Sequence, residues 1–318
     1  MHVARWSLTR RAALGALAGA VLPQAWDAQA QPVRWSGGTG SPRTPAPPGA
    51  TDCHFHTYDR RYPATAGATL LPEDALVEDY RALQRRLGTS RGVIVQPSTY
   101  GTDNSLQLAS LQALGPDQFR MVAVVPESVP DAELRRLDAL GVRGVRFNLT
   151  LPGVLTPASL RPLAPRLAEL GWHCQVNMSA KQIEDGQEML AALPGRLVFD
   201  HLGQVPQPGG LGSPSYAVVR RLLDRGNTWV KLSGAYITSK DGPPGYADAG
   251  AVAASYARAA PERVVWGSDW PHPTKAADQK PDDAGLFDLL ADWTGGGAGL
   301  RRVLVGNPAE LYGFPAVA

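Results

Sequence analysis

The 318-residue chain has little cysteine, little methionine and little charge: two Cys, four Met, and 19% Asp, Glu, Lys and Arg together. Two cysteines cannot build a disulfide scaffold. No interior apolar run is long enough to span a bilayer, and no block of like charge marks a disordered tail. Net charge is also nearly absent. The formal +2 arises wholly from Arg5, Arg10 and Arg11 against Asp27, so the rest of the chain is balanced. A neutral body lacks the electrostatic footprint of a nucleic-acid or anionic-lipid binder. What the chain does hold is 44% hydrophobic residues, 34 Gly and 28 Pro. At roughly 150 residues per domain its length allows two domains, yet a single α/β barrel runs to about 250 residues.

The first thirty residues read as an address. Ser7-Leu8-Thr9-Arg10-Arg11 precedes a weakly apolar Ala/Gly-rich stretch from Ala12 to Leu22, then Pro23 and the small-x-small triplet Ala28-Gln29-Ala30. This pattern predicts a twin-arginine-type signal peptide over residues 1–30, cleaved after Ala30. It implies passage through the Tat export machinery, a periplasmic product and no stable membrane anchoring after cleavage. Residues 31–50 are rich in Gly, Ser and Pro. With little apolar surface to offset ordering, they read as an extended linker.

From residue 51 to 318 the pattern becomes regular. Short β-branched runs are expected as strands at Thr51–Thr57, Gly92–Pro97, Met121–Val125, Val142–Leu149, His173–Met178, Leu197–His201, Trp229–Ser233 and Val264–Asp269. Between them, apolar residues recur at helical spacing over Asp74–Leu87, Leu106–Leu114, Asp131–Leu140, Pro157–Leu170, Ala180–Leu193, Tyr216–Asp224, Ala247–Ala259 and Gly285–Trp293. Eight such units predict a single-domain (β/α)₈ TIM barrel of the α/β class. A doubly wound open sheet would carry a glycine-rich phosphate turn after its first strand. Here that strand ends in histidines. The later Gly295-Gly296-Gly297 lacks the Lys-Ser/Thr of a phosphate loop.

Polar residues gather at the C-terminal ends of the expected strands, the face where this fold carries its chemistry. The first strand reads Asp52-Cys53-His54-Phe55-His56, and strand alternation puts His54 and His56 on one face. The sixth ends Phe199-Asp200-His201-Leu202-Gly203. The eighth ends Trp266-Gly267-Ser268-Asp269-Trp270-Pro271-His272-Pro273. Of the five histidines beyond the first thirty residues, four lie at or just past a strand end.

With these motifs, Arg143-Gly144-Val145-Arg146-Phe147-Asn148 and the terminal Gly306-Asn307-Pro308-Ala309, the sequence resembles the amidohydrolase superfamily. Within it, the chain is similar to the branch of 2-pyrone-4,6-dicarboxylate lactonase, sulfomuconolactone hydrolase and the aldarolactone lactonases and isomerases. The resemblance implies that His54, His56, His201 and Asp269 surround a reacting carbonyl, with Asp269 as general base toward water. It implies that an arginine of the Arg143/Arg146 motif holds a substrate carboxylate, for which a planar guanidinium is the natural bidentate partner. Arg146 and Asn148 share a parity and are expected at the mouth, whereas Arg143 could equally be a structural ion pair. The same four catalytic residues could hold one Zn²⁺, or the site could work without metal, as some members of the branch do. A second metal is not expected, because the fourth strand ends without a carboxylate and the mouth position of the fifth is Asn177. His173, at the opposite end of that strand, is expected to satisfy core hydrogen bonds.

Ser98, Tyr100, Asn104, Tyr58, Asn177, Tyr236 and His272 fall in or beside loops over the expected site and are candidates for contact with substrate. Cys53 and Cys174 have the opposite parity to the functional residues, so both are expected as free thiols facing the helix layer. The resulting expectation is an exported hydrolase that opens a small carboxylated lactone, without organic cofactor. Rivals are a lactone isomerase on the same site, a decarboxylase of the wider superfamily and a periplasmic carboxylate-ligand binding protein.

Overall fold

The structure is a computed structural model that describes residues 1–2, 32–151 and 153–317. The expected signal peptide and its cleavage point lie outside the described residues. Eight parallel strands run in chain order: β1 (Thr51–Phe55), β2 (Arg91–Val95), β3 (Phe119–Ala123), β4 (Val142–Asn148), β5 (His173–Asn177), β6 (Arg196–Phe199), β7 (Thr228–Leu232) and β8 (Val264–Trp266). The chain just beyond β8 returns to β1. Asp269 N donates to His54 O at 2.8 Å and His56 N to Trp270 O at 2.9 Å, which joins the two edges into a (β/α)₈ barrel.

The strands are largely buried on both faces because one face meets the helices and the other the barrel interior. Val145, Phe147, Val176 and Phe199 join the large outer core. Val93, Val95, Val122, Val198, Trp229 and Val265 form a separate inner core closed from below by Leu311, Tyr312 and Phe314. Phe314 is itself capped by the guanidinium groups of Arg91 and Arg120, 5.4 and 4.9 Å from its ring centre. The expected helices are present with shifted ends. The first begins at Val77, and the fifth breaks at Gly186 into Ala180–Asp185 and Gln187–Ala192. Short helices at Ala235–Thr238, Gly297–Arg301 and Asn307–Tyr312 were not expected from periodicity.

Two expectations are corrected. Cys53 lies in the inner core, not the helix layer. The cause is an irregularity in β1: Asp52 pairs with Gly92 and Phe55 with Ile94, so three steps on β1 face two on β2. Such a bulge resets the side-chain alternation, letting both Cys53 and His54 face inward. Cys174 does lie in the outer core, and both thiols are free and buried.

The second correction concerns residues 32–50. They lack helix and strand, but they are fastened to the barrel rather than extended into solvent. Trp35 Nε1 donates to Asp74 O at 3.0 Å, and Gly37 N to Pro281 O at 2.8 Å. The buried Arg86 guanidinium donates to Gly37 O, Gly40 O and Ser36 Oγ and pairs with Asp282. Asp288 accepts from the backbone of Arg43 and Thr44. Hydrogen bonds to backbone groups, which apolar counting does not register, hold this strap in place. Arg86→Ala is expected to lower stability by about 1–3 kcal/mol in urea unfolding and to open the strap to limited proteolysis. An unchanged midpoint and cleavage pattern would show that the strap is a free tether.

Candidate active site

The mouth of the barrel collects side chains from six strand ends. His54 and His56 come from β1, Arg146 and Asn148 from β4, and Asn177 from β5. His201 and Gln204 follow β6, Ser233 and Tyr236 follow β7, and Asp269 follows β8. Asp269 Oδ1 stands 3.6 Å from His54 Nε2, 3.6 Å from His56 Nε2 and 3.8 Å from His201 Nε2. His54 Nε2 and His56 Nε2 are 3.3 Å apart. The backbone is bent to achieve this. His201, Leu202, Gln204 and Asp269 all have φ between 46° and 61°, a left-handed region that costs a non-glycine residue energy and is found where surroundings impose it. Gly267 permits the close approach of β8 to β1, since a Cβ there would lie 2.5 Å from His54 Cβ.

Each of these groups is aimed by a partner. His56 Nδ1 donates to Val95 O at 2.7 Å, leaving Nε2 to face the site. His201 Nδ1 meets Ser233 Oγ at 3.0 Å. Tyr236 donates its hydroxyl to Asp269 Oδ2 at 2.5 Å and is met in turn by His272 Nδ1 at 3.1 Å, whose Nε2 reaches Asp283 Oδ2 at 3.1 Å. Burial alone would raise the Asp269 carboxyl, but His201, His56 and His54 together hold it well below the usual carboxylate range. Burial pushes His54 well below its ordinary value, with Lys231 adding to the effect, and burial also lowers His201. Burial and the Asp269 charge keep Tyr236 a phenol. The resting site is thus an anionic carboxylate facing neutral His54 and His201.

A second set of groups lies directly beneath. Asp200 accepts from Arg146 Nε at 3.1 Å and Gln175 Nε2 at 3.2 Å. Lys231, fully buried and lowered to about 8 by that burial, reaches Gln175, Cys53 and His54. Above the imidazoles is a cavity of about 230 Å³ bordered by His56, Tyr58, Arg146, Asn177, His201 and Asp269. It continues into a space of about 310 Å³ through Ser98, Arg146 and Asn148.

The structure therefore brings together His54, His56, His201, Asp269, Arg146, Asn148, Asn177, Ser98 and Tyr58. It excludes others. Arg143 lies at the start of β4, at an irregularity in its pairing with β3, and pairs with Asp138 at 3.1 Å rather than facing the cavity. Tyr100 spends its hydroxyl on the Asp59 backbone, and Asn104 is bound to the Val124 backbone. His272 is fully buried behind Tyr236 and does not border the cavity. His173 sits at the lower end of β5 against Tyr312, and neither ring nitrogen has a partner among the described residues, so it is not the satisfied core histidine expected. Sequence reasoning missed Lys231, Gln175 and Gln204. Lys231 left a signal: a lysine two residues before Ser233, within the otherwise apolar Trp229-Val230-Lys231-Leu232, has the parity of the mouth.

Residues 51–314 match the Amidohydrolase family. The chain belongs to that family. It is 33% identical over 290 residues to a 2-pyrone-4,6-dicarbaxylate hydrolase of Comamonas testosteroni, covering 87% of this chain and 94% of the relative. It is 34% identical over 283 residues to a D-galactarolactone isomerase of Agrobacterium fabrum, covering 88% and 96%. A solved Agrobacterium tumefaciens structure superposes with a TM-score of 0.82 at 33% identity, covering 89% of this chain and 100% of that one.

For an amidohydrolase the metal question turns on donor chemistry. His54, His201 and Asp269 offer ligand atoms within 4.8 Å of one another, and His56 Nε2 lies beside them. Two or three imidazole nitrogens and a carboxylate oxygen form a donor set suited to one divalent cation. Among the described residues, β4 and β5 offer Arg146, Asn148 and Asn177 at the mouth and no bridging carboxylate for a second.

The electrostatics predict the pH profile. Burial lowers His54 and His201 from the ordinary imidazole value, and Asp269 lies below the usual carboxylate range, so none of the three contributes a limb to kcat/KM between pH 6.5 and 8. An acid limb centred at 6.5 that disappears in His201→Gln would contradict this charge assignment.

Proposed function

We propose that this amidohydrolase hydrolyses a small lactone bearing a carboxylate. The observation that carries the reading is Asp269: a buried anion that faces three imidazoles across an ångström-scale gap, on the wall of a cavity that also exposes Arg146. Binding alone would gain nothing from a carboxylate so placed, because it repels an anionic ligand. A base toward water needs one.

Arg146 keeps Nη2 without a partner among the described residues, while its Nε and Nη1 are anchored to Asp200 and Gln96. That fixed guanidinium edge seats the substrate carboxylate. Tyr58, whose buried hydroxyl has no partner among the described residues, borders the same cavity and can donate to that carboxylate. Arg146 is the one Lys or Arg side chain bordering either part of the cleft among the described residues, and apart from Asp269 and the imidazoles of His56 and His201 the other polar side chains there are hydroxyls and amides. The cleft therefore suits one carboxylate together with hydroxyls, as in a sugar-acid lactone, better than two carboxylates.

In the reaction, Asp269 Oδ1 takes a proton from water as the oxygen attacks the lactone carbonyl, and the imidazoles stabilise the oxyanion. Collapse breaks the ring C–O bond, and Asp269 returns the proton to the departing alkoxide. The new carboxylic acid then ionises and releases a proton to solvent. One divalent cation such as Zn²⁺, held by His54, His56, His201 and Asp269, would when bound supply Lewis-acid stabilisation of the same charge. The chain of amides from Asn148 through Asn177 to Gln204 favours one second reading. If it orients a substrate hydroxyl, that hydroxyl can replace water and the lactone is isomerised. The twin-arginine-type segment supports a periplasmic site of action.

The test is acid release, followed with a pH indicator, from a panel of lactones with no, one or two carboxylates, using protein that begins at Gln31. Release is expected for monocarboxylated hydroxylactones and is expected to fall by about 10²–10⁴-fold in Asp269→Asn with ligand binding retained. Silence across the panel, with thermal stabilisation by one lactone, would replace hydrolysis with isomerisation or binding. Near-normal turnover in Asp269→Asn would remove Asp269 from the mechanism.

A further inference from the structure

The inner cavity, walled by Asp269, His56 and His201, measures about 230 Å³. Sites for drug-sized ligands run upward from about 300 Å³, so this space by itself matches a smaller molecule, a lactone ring with its carboxylate on Arg146. The space beyond Arg146 is about 310 Å³, more than a ring at Asp269 needs. Leu70, Ser98, Arg146, Asn148 and Leu151 border both spaces. The two are therefore one continuous cleft with a neck at these residues.

The chemistry changes at the neck. Past it the wall is built from Ala66, Ala68, Val124, Val154 and Leu155 with glycines between them. Among the described residues it adds only the hydroxyls of Thr65 and Thr69, and no charge. At the neck itself Asn148 Nδ2 donates to Ser98 Oγ at 2.8 Å, so the amide and the hydroxyl serve each other. An apolar group gains from leaving water here, whereas a second carboxylate would be desolvated without a cationic partner.

The hollow also has fixed walls. Ala68 N donates to Thr65 O at 3.1 Å across a turn in which Gly67 takes a φ of 78°, a conformation that glycine supplies. Thr65 N donates to Thr99 O at 2.8 Å, and Thr99 Oγ1 donates to Leu70 O at 2.7 Å. One residue after β2 thus clamps both ends of the 65–70 loop. On the opposite lip Leu155 is anchored in the outer core, while Val154 stands 53% exposed at the edge.

We propose that the substrate lactone carries, beside its carboxylate, an uncharged alkyl or aryl substituent that lies in this outer hollow between the 65–70 loop and residues 151–155. The substrate class narrows from a small lactone acid to one with an apolar tail, whose burial adds to the affinity. This rests on the reading of Arg146 as the carboxylate seat.

The probes are tetrahydropyran-2-carboxylates with hydrogen, ethyl, butyl or phenyl on the carboxylate-bearing carbon. They lack the lactone carbonyl, so their binding to the full chain is read by titration calorimetry without turnover. Affinity is expected to rise roughly threefold per methylene from hydrogen to butyl, with an increasingly negative heat-capacity change. Ala68→Leu and Val154→Trp, on opposite lips of the hollow, are expected to remove most of that gain. Acids that bind alike whatever their substituent overturn the proposal and leave the seat on Arg146 standing. A gain with chain length that survives in both variants puts the alkyl group elsewhere and overturns it as well. If none of the acids binds, the carboxylate seat falls and the proposal falls with it.

Discussion

A carboxylate without solvent has to be held by its neighbours, and the burial of Asp269 among three imidazoles is the constraint around which the mouth of this barrel is organised. Its Oδ2 is taken by Tyr236, its backbone N–H is bonded to the His54 carbonyl, and its own carbonyl accepts from His272 N. Each of these partners is fixed in turn. Asp52 binds Ser268 through both backbone and hydroxyl as well as the His54 N–H, tying the β1 bulge to the residue before Asp269. Burial raises Asp52 to about 6 despite those donors.

The support extends to the N-terminal strap. Trp270, next to Asp269, donates its indole N–H to Arg34 O at 2.9 Å, and Asp283 N donates to Ser36 Oγ at 3.3 Å. The same Asp283 closes the line of hydrogen bonds that begins at Asp269 and passes through Tyr236 and His272. The strap thus buttresses Asp269 from outside, although none of its residues borders the cavity. The left-handed backbone at His201, Gln204, Asp269 and His272 is concentrated in this same region, as expected where local strain is offset by many surrounding bonds.

Much of this was legible in the sequence, and where it was not, the reasons are physical. Strand alternation located Arg146 and Asn148 correctly because β4 pairs with β5 without a break from Gly144 to Asn148, whereas Arg143 falls at an irregularity in the pairing with β3. Alternation failed for Cys53 because a bulge shifts the count by one, and no residue type announces a bulge. His272 lies close to Asp269 in sequence, but positive φ angles at both residues turn the chain so that the imidazole sits behind the site. Lys231 was overlooked because one lysine in a five-residue strand resembles a strand end, until its neighbours from β1 and β5 are seen. The strap was read as a linker because apolar content measures only burial, whereas its anchoring comes from hydrogen bonds to Arg86, Asp288 and the main chain.

The central claim is that Asp269 directs a water molecule, and not a group of the substrate, onto the lactone carbonyl. Turnover of a lactone substrate in H₂¹⁸O, with mass analysis of the ring-opened acid after a single pass, tests it directly. One ¹⁸O atom in the new carboxylate of each product molecule is the result this account requires. A product of unchanged mass, with the lactone reclosed on a different hydroxyl, would contradict it and make the enzyme an isomerase.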